Sequence, residues 1–281
     1  MKYIEYQFDY SEQKEFKFAL FSDTHTDAKY CEKDKLRANL DWCHKNLDGI
    51  LLNGDMFSCL MPKDLKRFTL AHAVANRDDY LDYIIDYVAD FYSPYADKIM
   101  FVGMGNHETS ALKFHGTNPA ARLCRQLKDA GGSPKFGDYQ NIIRFKFHHG
   151  ENSRVRSYDL WACHGMGAGA KRSRGVMEWD LVYSRFDANL YWMGHNHQAE
   201  IDHSGSYTRV NQAGQFVTLP KRGIRTPSWE QSVSVRDYNE PYDLKYGEER
   251  HGLPVALPQF GLLTLNPTGD IVKDTICLMD V

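Results

Sequence analysis

Five short clusters of polar residues contain the side chains in this sequence that could bind metal ions. Each cluster follows an apolar run and supplies carboxylate, imidazole or amide groups. Alone, each is weak evidence, because D-x-H pairs occur by chance and N-G-D is a common turn sequence. Their repetition after five apolar runs favours one shared metal site over separate turns and helix caps. The clusters are SDTH at 22–25, NGD at 53–55, GNHE at 105–108, CHG at 163–165 and MGHNH at 193–197.

The types and spacing of these side chains favour binding of divalent cations. Asp23 and His25 are two residues apart, as are His195 and His197, so an extended backbone would point both members of each pair to one side. Imidazole nitrogens with carboxylate and amide oxygens suit Mn²⁺, Fe or Zn²⁺ better than Ca²⁺. One bridging aspartate can hold two such cations about 3.5–4 Å apart, where a shared water loses a proton near neutral pH and becomes a nucleophile.

Short strands alternating with amphipathic helices must position the clusters. Apolar runs predict strands just before the first three clusters, and apolar residues at helical spacing predict helices over 31–47, 78–92 and 118–132. This order favours an α/β fold with parallel strands and crossover helices, in which sites lie at the carboxyl ends of the strands. Further strands are predicted at NIIRFKFHH, YDLWACHG, NLYWMGHNH, GSYTRVNQA, QFGLLTLN and DIVKDTICLM.

Length and composition predict a single domain over residues 1–281. Hydrophobic residues make up 42% of the chain, enough for a sizeable core, and the net charge of -3 does not require a nucleic-acid partner. No apolar run reaches the roughly 18 residues of a membrane span, and the N-terminus resembles no signal peptide. The six cysteines have no C-x-x-C spacing, so we expect a cytoplasmic protein with reduced thiols and no membrane partner. Four of the ten prolines fall in 220–258, which predicts an irregular insert or lid containing a short strand or two.

The order D-x-H, G-D, G-N-H-E, H-G, G-H-x-H resembles the calcineurin-like metallophosphoesterase superfamily, and the motifs span residues 23–197. The resemblance implies a four-layer α/β/β/α sandwich with a dinuclear metal site at the strand ends. It implies one ion bound by Asp23, His25 and His197, a second bound by Asn106, His164 and His195, and Asp55 as the bridge between them. His107 would lie beside the scissile group without binding metal. Mn²⁺ is the expected ion, with Fe, Zn²⁺ and Ni²⁺ as alternatives.

The loop after His164 contains three glycines followed by three cationic residues. Small residues let the backbone approach a substrate, and the cations could bind phosphates beyond the scissile one, although a solvated loop would have the same composition. The loop loosely resembles basic loops of phage-borne and archaeal members of the superfamily. The predicted substrate-binding residues are Asn106, Lys171, Arg172 and Arg174.

These features favour a phosphodiesterase or nuclease acting on a nucleotide or short nucleic acid, with Asp55 and His107 as catalytic residues. His107 could stabilise phosphoryl oxygens or protonate the leaving oxygen. Cations and aromatic residues in the insert could clamp nucleobases or form an ordinary lid: Lys221, Arg222, Arg225, Trp229, Tyr238, Tyr242 and Tyr246.

Two other functions are compatible with the motifs. A phosphomonoesterase would use the same residues, but the G-D motif continues as MFSCL and lacks the D-R-G extension of the Ser/Thr phosphatase branch. A non-catalytic scaffold is the third alternative, although every ligand position is retained. Two supporting roles stay open. Glu108 could hold His107 protonated or cap the next helix, and Asp27 could support the metal ligands or cap a helix.

Overall fold

Two six-stranded sheets form the framework of the chain. The computed structural model describes residues 1–59, 78–150, 155–165, 176–230, 257–269 and 271–281. Within these ranges the strands are β1 (Lys2–Asp9), β2 (Phe16–Phe21), β3 (Gly49–Leu52), β4 (Ile99–Val102), β5 (Lys135–Phe136), β6 (Gln140–His148), β7 (Arg156–Cys163), β8 (Leu190–Met193), β9 (Glu200–Val210), β10 (Phe216–Arg225), β11 (Phe260–Asn266) and β12 (Lys273–Met279).

The described α-helices are α1 (Lys33–Asn46), α2 (Tyr80–Tyr92) with a 3-10 turn at Ser93–Tyr95, α3 (Asn106–His115), α4 (Pro119–Asp129) and α5 (Val176–Arg185). Three of these five described α-helices, α1, α2 and α4, lie in the segments where apolar spacing predicted helices. Local sequence explains the start of α4, since the Asn118 side chain accepts a hydrogen bond from the backbone N–H of Ala121, and proline occupies the first helical position. Helices α3 and α5 and strands β1, β5 and β10 were not among the predicted elements. No described helix has the length and apolar character needed to cross a membrane.

The order of the strands brings many carboxyl ends to one region. The first sheet runs β12-β11-β2-β3-β4-β5, and β2 to β5 are parallel, which confirms the predicted parallel arrangement. The second runs β1-β6-β7-β8-β10-β9, and within it β7, β8 and β10 are parallel. The segment 220–258, predicted to be an irregular insert, begins inside β10, and its residues 231–256 lie outside the described ranges.

Three apolar clusters hold these elements together. One contains side chains from both sheets, among them Phe18 of β2 and Phe145 of β6, whose ring centroids are 4.7 Å apart. A second joins α1, α2 and α4 to the first sheet, and a third joins α5 to β7 and β8 through Trp161 and Trp179. Burying one such large side chain contributes about 1.5–3 kcal/mol. The packing therefore fixes how the strand ends of one sheet face those of the other.

Candidate metal centre

The loops after β2 and β3 are joined by three backbone hydrogen bonds that continue the pairing of the two strands. Asp23 N–H donates to the Gly54 carbonyl at 3.1 Å and His25 N–H donates to the Asp55 carbonyl at 3.0 Å. A third bond joins Thr26 N–H to the Met56 carbonyl at 2.9 Å. These bonds hold the first two polar clusters side by side.

The backbone at these clusters is not extended, so the predicted reason for the convergence of the side chains is wrong. A positive φ in a residue with a side chain costs about 1–2 kcal/mol, and such strain concentrates at functional sites. Local hydrogen bonds and close packing must therefore hold these residues in place. The angles are 51° at Asp23, 43° at His25, 51° at Asp55, 68° at His195 and 55° at His197.

The structure brings the predicted carboxylates and imidazoles together. Their ligand atoms form three groups whose members lie within 4.8 Å of one another: Asp23, His25 and His197; His25, Asp55 and His107; and Asp55, His164 and His195. The first and third groups contain the side chains expected around each ion. The second also includes His107, which the resemblance places outside the ligand set. The geometry is compatible with His107 as a metal ligand and with His107 as a group that lies beside the substrate.

Three of the imidazoles are held through Nδ1, which leaves Nε2 directed at the site. Nδ1 of His164 lies 2.9 Å from the Asn53 carbonyl, and Nδ1 of His107 lies 2.6 Å from the Ser58 carbonyl. Nδ1 of His25 lies 3.2 Å from Ser58 Oγ. A carbonyl can only accept, so His164 and His107 carry hydrogen on Nδ1. This is the usual way in which outer contacts orient metal-ligating histidines.

The buried atoms without a hydrogen-bond partner among the described residues include two that face the site, His25 Nε2 and the Asn106 side-chain oxygen Oδ1. A buried polar atom without a partner is costly, and a bound cation would satisfy both. The donor set of imidazole, carboxylate and amide oxygen fits Mn²⁺, Fe or Zn²⁺. The residues present therefore fit the metal centre that the motifs imply.

Charge in the metal-free protein is balanced between buried carboxylates and imidazoles. Burial lowers the pKa of His164, but the carboxylates of Asp55 and Asp23 raise it to about 10. Burial raises the pKa of Asp23, but His164 and His197 lower it to about 2, and the pKa of Asp55 is likewise held well below its usual value. An imidazolium thus takes the place of a cation between two buried carboxylates.

Glu108 connects two loops of the site through its buried carboxylate. Its oxygens accept from the backbone N–H groups of Asp55 at 3.0 Å, Phe57 at 3.2 Å and Gly105 at 2.8 Å. The bond from Gly105 caps α3, which agrees with one of the two roles left open. Burial, together with the charge of Asp55, raises the pKa of Glu108 to about 7.

Two glycines of the motifs allow backbone to pass close to the carboxylates. A Cβ at Gly105 would lie 2.1 Å from Asp55 Oδ1, and a Cβ at Gly194 would lie 2.2 Å from Asp23 Oδ2. No real side chain fits at these distances. The G-N-H and G-H-x-H motifs therefore need glycine for space around the carboxylates.

Several of the predicted substrate contacts fall on residues that the structure does not describe. Lys171, Arg172 and Arg174, and Tyr238, Tyr242 and Tyr246, lie outside the described residues. The remaining members of the suggested nucleobase clamp have structural partners, which does not support that role. Lys221 donates to the carbonyls of Tyr183 and Phe186, Arg222 pairs with Asp274, Arg225 pairs with Glu178 and Glu200, and Trp229 is buried against Phe21.

Some contacts that support the site involve residues that were not predicted as site residues. Ser228 Oγ and Trp229 N–H both donate to the Asp23 carbonyl, at 3.0 and 3.1 Å. The Asn196 side chain donates to Glu178 at 3.2 Å, and Glu178 also pairs with buried Arg225. These contacts join segments that are far apart in sequence, and no local pattern marks them.

Comparison with known proteins identifies the family. Residues 16–199 match the family model described as calcineurin-like phosphoesterase, so the chain belongs to this family. No curated protein sequence matches the chain. Residues 200–281 lie beyond the matched region, and they include β9 to β12.

Several solved structures are similar at low sequence identity. A single mutant of Vps29 from Entamoeba histolytica is 12% identical with a TM-score of 0.38, and the match covers 94% of this chain and 100% of that one. Vacuolar Protein Sorting 29 from Cryptosporidium parvum is 10% identical with a TM-score of 0.38, covering 96% and 100%. GAP50, the anchor in the inner membrane complex of Plasmodium, is 11% identical with a TM-score of 0.44, covering 96% and 90%.

Proposed function

We propose that this calcineurin-like phosphoesterase hydrolyses phosphodiesters of a nucleotide or short nucleic acid, using two divalent cations. The observation that carries the proposal is the convergence of two buried aspartates with five histidines from loops of both sheets, in groups within 4.8 Å. Burying several ionisable carboxylates and imidazoles together is costly, and bound cations would offset that cost.

Asp23, His25 and His197 would hold one ion, Asn106, His164 and His195 the other, and Asp55 both. Two cations held there would lower the pKa of a water and neutralise the charge that grows on phosphoryl oxygens. The side chains of the protein fix the positions of the ligands. His164, for example, presents Nε2 to Asp55 because its Nδ1 is bonded to the Asn53 carbonyl.

His107 supports the preference for diesters. Its side chain is 23% exposed at the site, with Nδ1 bonded to the Ser58 carbonyl and Nε2 3.9 Å from Asp55 Oδ2. Burial lowers the pKa of His107, but the charge of Asp55 and the Ser58 carbonyl raise it overall. A protonated His107 can donate from Nε2 to an alkoxide leaving group, a step that matters for diesters of poor leaving groups.

We also propose how the sheets and helices are layered. The cluster between the sheets, the cluster under α1, α2 and α4, and the cluster under α5 support a four-layer α/β/β/α sandwich in one domain. In such an arrangement the loops of both sheets meet at one edge, where a dinuclear centre can form.

The test is hydrolysis of matched esters by the full chain. The chain is loaded with Mn²⁺ and assayed with bis(p-nitrophenyl) phosphate, p-nitrophenyl phosphate, dinucleotides and short DNA. We expect chelator-sensitive hydrolysis with the higher kcat/KM for diesters. A higher kcat/KM for the monoester would indicate a phosphomonoesterase. Absence of bound metal with no hydrolysis of any ester would favour a scaffold.

A further inference from the structure

The carboxylate of Asp27 links the loop after β2 to the loop after β3. The residue is 7% exposed, Oδ1 accepts from Ser58 N–H at 2.5 Å, and Oδ2 accepts from Cys59 N–H at 3.0 Å. Two bonds from successive N–H groups to one carboxylate are charge-assisted and hold the backbone firmly. Asp27 therefore fixes the peptide units on both sides of Ser58.

Ser58 in turn contacts two imidazoles of the site. Its carbonyl lies 2.6 Å from Nδ1 of His107, and its hydroxyl lies 3.2 Å from Nδ1 of His25. The His107 ring is thereby oriented with Nε2 toward Asp55, at 3.9 Å from Oδ2. The position of one carbonyl oxygen thus decides which nitrogen of His107 faces a substrate.

The turn that carries this carbonyl has an unfavourable backbone. Cys59 has φ 44°, a conformation that costs about 1–2 kcal/mol for a residue with a side chain. The bonds to Asp27 satisfy its buried N–H and that of Ser58, and they offset this cost. Without them, the turn would relax and the Ser58 carbonyl would move away from His107.

We propose that Asp27 is a positioning residue for His107, acting through the Ser58 carbonyl; this inference rests on the proposed phosphodiesterase function. In the hydrolysis, a bond forms from a water oxygen to phosphorus and the bond to the leaving oxygen breaks. The attacking water gives up a proton to solvent, and the proton on Nε2 of His107 passes to the leaving oxygen, which departs as an alcohol. Nε2 then regains a proton from solvent, while the Nδ1–H group stays hydrogen-bonded to the Ser58 carbonyl. A shift of about 1 Å in such a group can cost about 10²-fold in rate.

The first test is the dependence of rate on the leaving group. In Asp27→Asn an amide nitrogen replaces one oxygen and cannot accept from an N–H, so one of the two bonds is lost. We expect kcat for an alkyl diester, whose leaving oxygen needs a proton, to fall roughly 10–10²-fold. We expect kcat for bis(p-nitrophenyl) phosphate, whose leaving group needs no proton, to change less than about threefold. His107→Ala should show the same selective pattern.

The matched control is Asp48→Asn. Asp48 Oδ2 also accepts from a backbone N–H, that of Lys17 at 2.6 Å, but at the opposite ends of β2 and β3. This variant should lower stability without changing the leaving-group dependence. If Asp27→Asn does not fold, Asp27→Ser, whose hydroxyl can accept one N–H, provides the same comparison.

A second readout needs no activity. In metal-free protein labelled with ¹⁵N-histidine, the hydrogen on Nδ1 of His107 should exchange slowly, and its resonance is identified by its loss in His107→Ala. The resonance should persist in Asp48→Asn. In Asp27→Asn it should be lost, because the hydrogen on Nδ1 exchanges rapidly with solvent. An unchanged resonance and an unchanged leaving-group dependence in Asp27→Asn would overturn the positioning role. A lost resonance in a protein that hydrolyses no ester would instead overturn the proposed function alone.

Discussion

Nε2 of His164 lies 3.0 Å from Oδ2 of Asp55, although the two residues follow strands of different sheets. Asp55 follows β3 of the first sheet and His164 follows β7 of the second. Both side chains are almost completely buried, with 0% and 2% of their surfaces exposed. The contact therefore depends on how the two sheets pack, and it links the stability of the fold to the chemistry of the site.

Asp55→Asn should remove both metal ions and the activity. The substitution replaces the negative carboxylate that would hold both ions with a neutral amide. We therefore expect metal content to fall from two ions toward none. Loss of several kcal/mol of transition-state stabilisation corresponds to at least about 10³-fold in kcat/KM. Elemental analysis and ester hydrolysis measure both effects. An Asn variant that retains two ions would show that Asp55 is not the bridge.

His107→Ala should separate chemistry from metal binding. We expect two ions to stay bound while kcat for an alkyl diester, whose leaving oxygen needs a proton, falls about 10²–10⁴-fold, the usual contribution of a general acid. The measurement is metal content of the purified variant beside its kcat. The ligand atoms of His107, His25 and Asp55 lie within 4.8 Å of one another, so His107 could also bind metal. Loss of metal from His107→Ala would identify His107 as a ligand.

Metal binding should release a proton from His164. The pKa of His164 is raised to about 10 in the metal-free protein, above the value of about 6.5 for an unfolded chain, so the folded state binds the extra proton between these values. The stabilisation is complete below about pH 6.5 and is lost as pH rises toward 10, at up to about 1.4 kcal/mol per pH unit. Metal affinity should rise over the same range, because a ligating imidazole must lose that proton.

Calorimetry can count these protons. Titration of Mn²⁺ into chelator-treated protein in two buffers of different ionisation enthalpy should show proton release near pH 7.5. Thermal unfolding of the metal-free protein between pH 6.5 and 10 should show decreasing stability, and His164→Gln should reduce this slope. A slope of opposite sign would contradict the raised pKa.

Gly105→Ala should damage the site and Gly116→Ala should not, although these glycines flank the same helix, α3. A Cβ at Gly105 would lie 2.1 Å from Asp55 Oδ1, whereas a Cβ at Gly116 meets nothing within 4 Å. The first change should displace the carboxylate and lower metal content and activity. The second places alanine at φ 67° and should cost about 1–2 kcal/mol of stability with metal content unchanged. Metal analysis and urea denaturation distinguish the two outcomes.

Arg225→Ala should destabilise the fold much more than Arg144→Ala. Arg225 is fully buried between Glu178 and Glu200, and its loss would leave two partly buried carboxylates without their partner, at about 3–5 kcal/mol. Arg144 forms a two-bonded pair with Asp159 at 2.6 Å but is 36% exposed, so its loss should cost about 1 kcal/mol or less. Urea denaturation measures the loss of unfolding free energy in each variant. Equal losses would show that burial of the arginine does not decide how much stability is lost.

Much of the fold could be predicted because its patterns are local. Leu36 and Leu40 of α1 recur at helical spacing and are buried, as expected from periodicity alone. Strand β10 was missed because Pro220 lies within it, and a proline inside a run argues against a strand. Helix α5 was missed because its apolar residues are divided between buried Trp179, Val182 and Tyr183 and exposed Met177 and Leu181. Burial of these elements depends on partners elsewhere in the chain.

The sequence by itself determined the chemical types of the side chains at the site, their order and the family to which the chain belongs, because a motif is a property of neighbouring residues. Only the tertiary structure decided that Asp23 and His25 have left-handed rather than extended backbones. It alone also decided which nitrogen of His107 faces the site, and that Asp27 holds Ser58. These features depend on hydrogen bonds between loops remote in sequence, and such bonds form only once the sheets have packed.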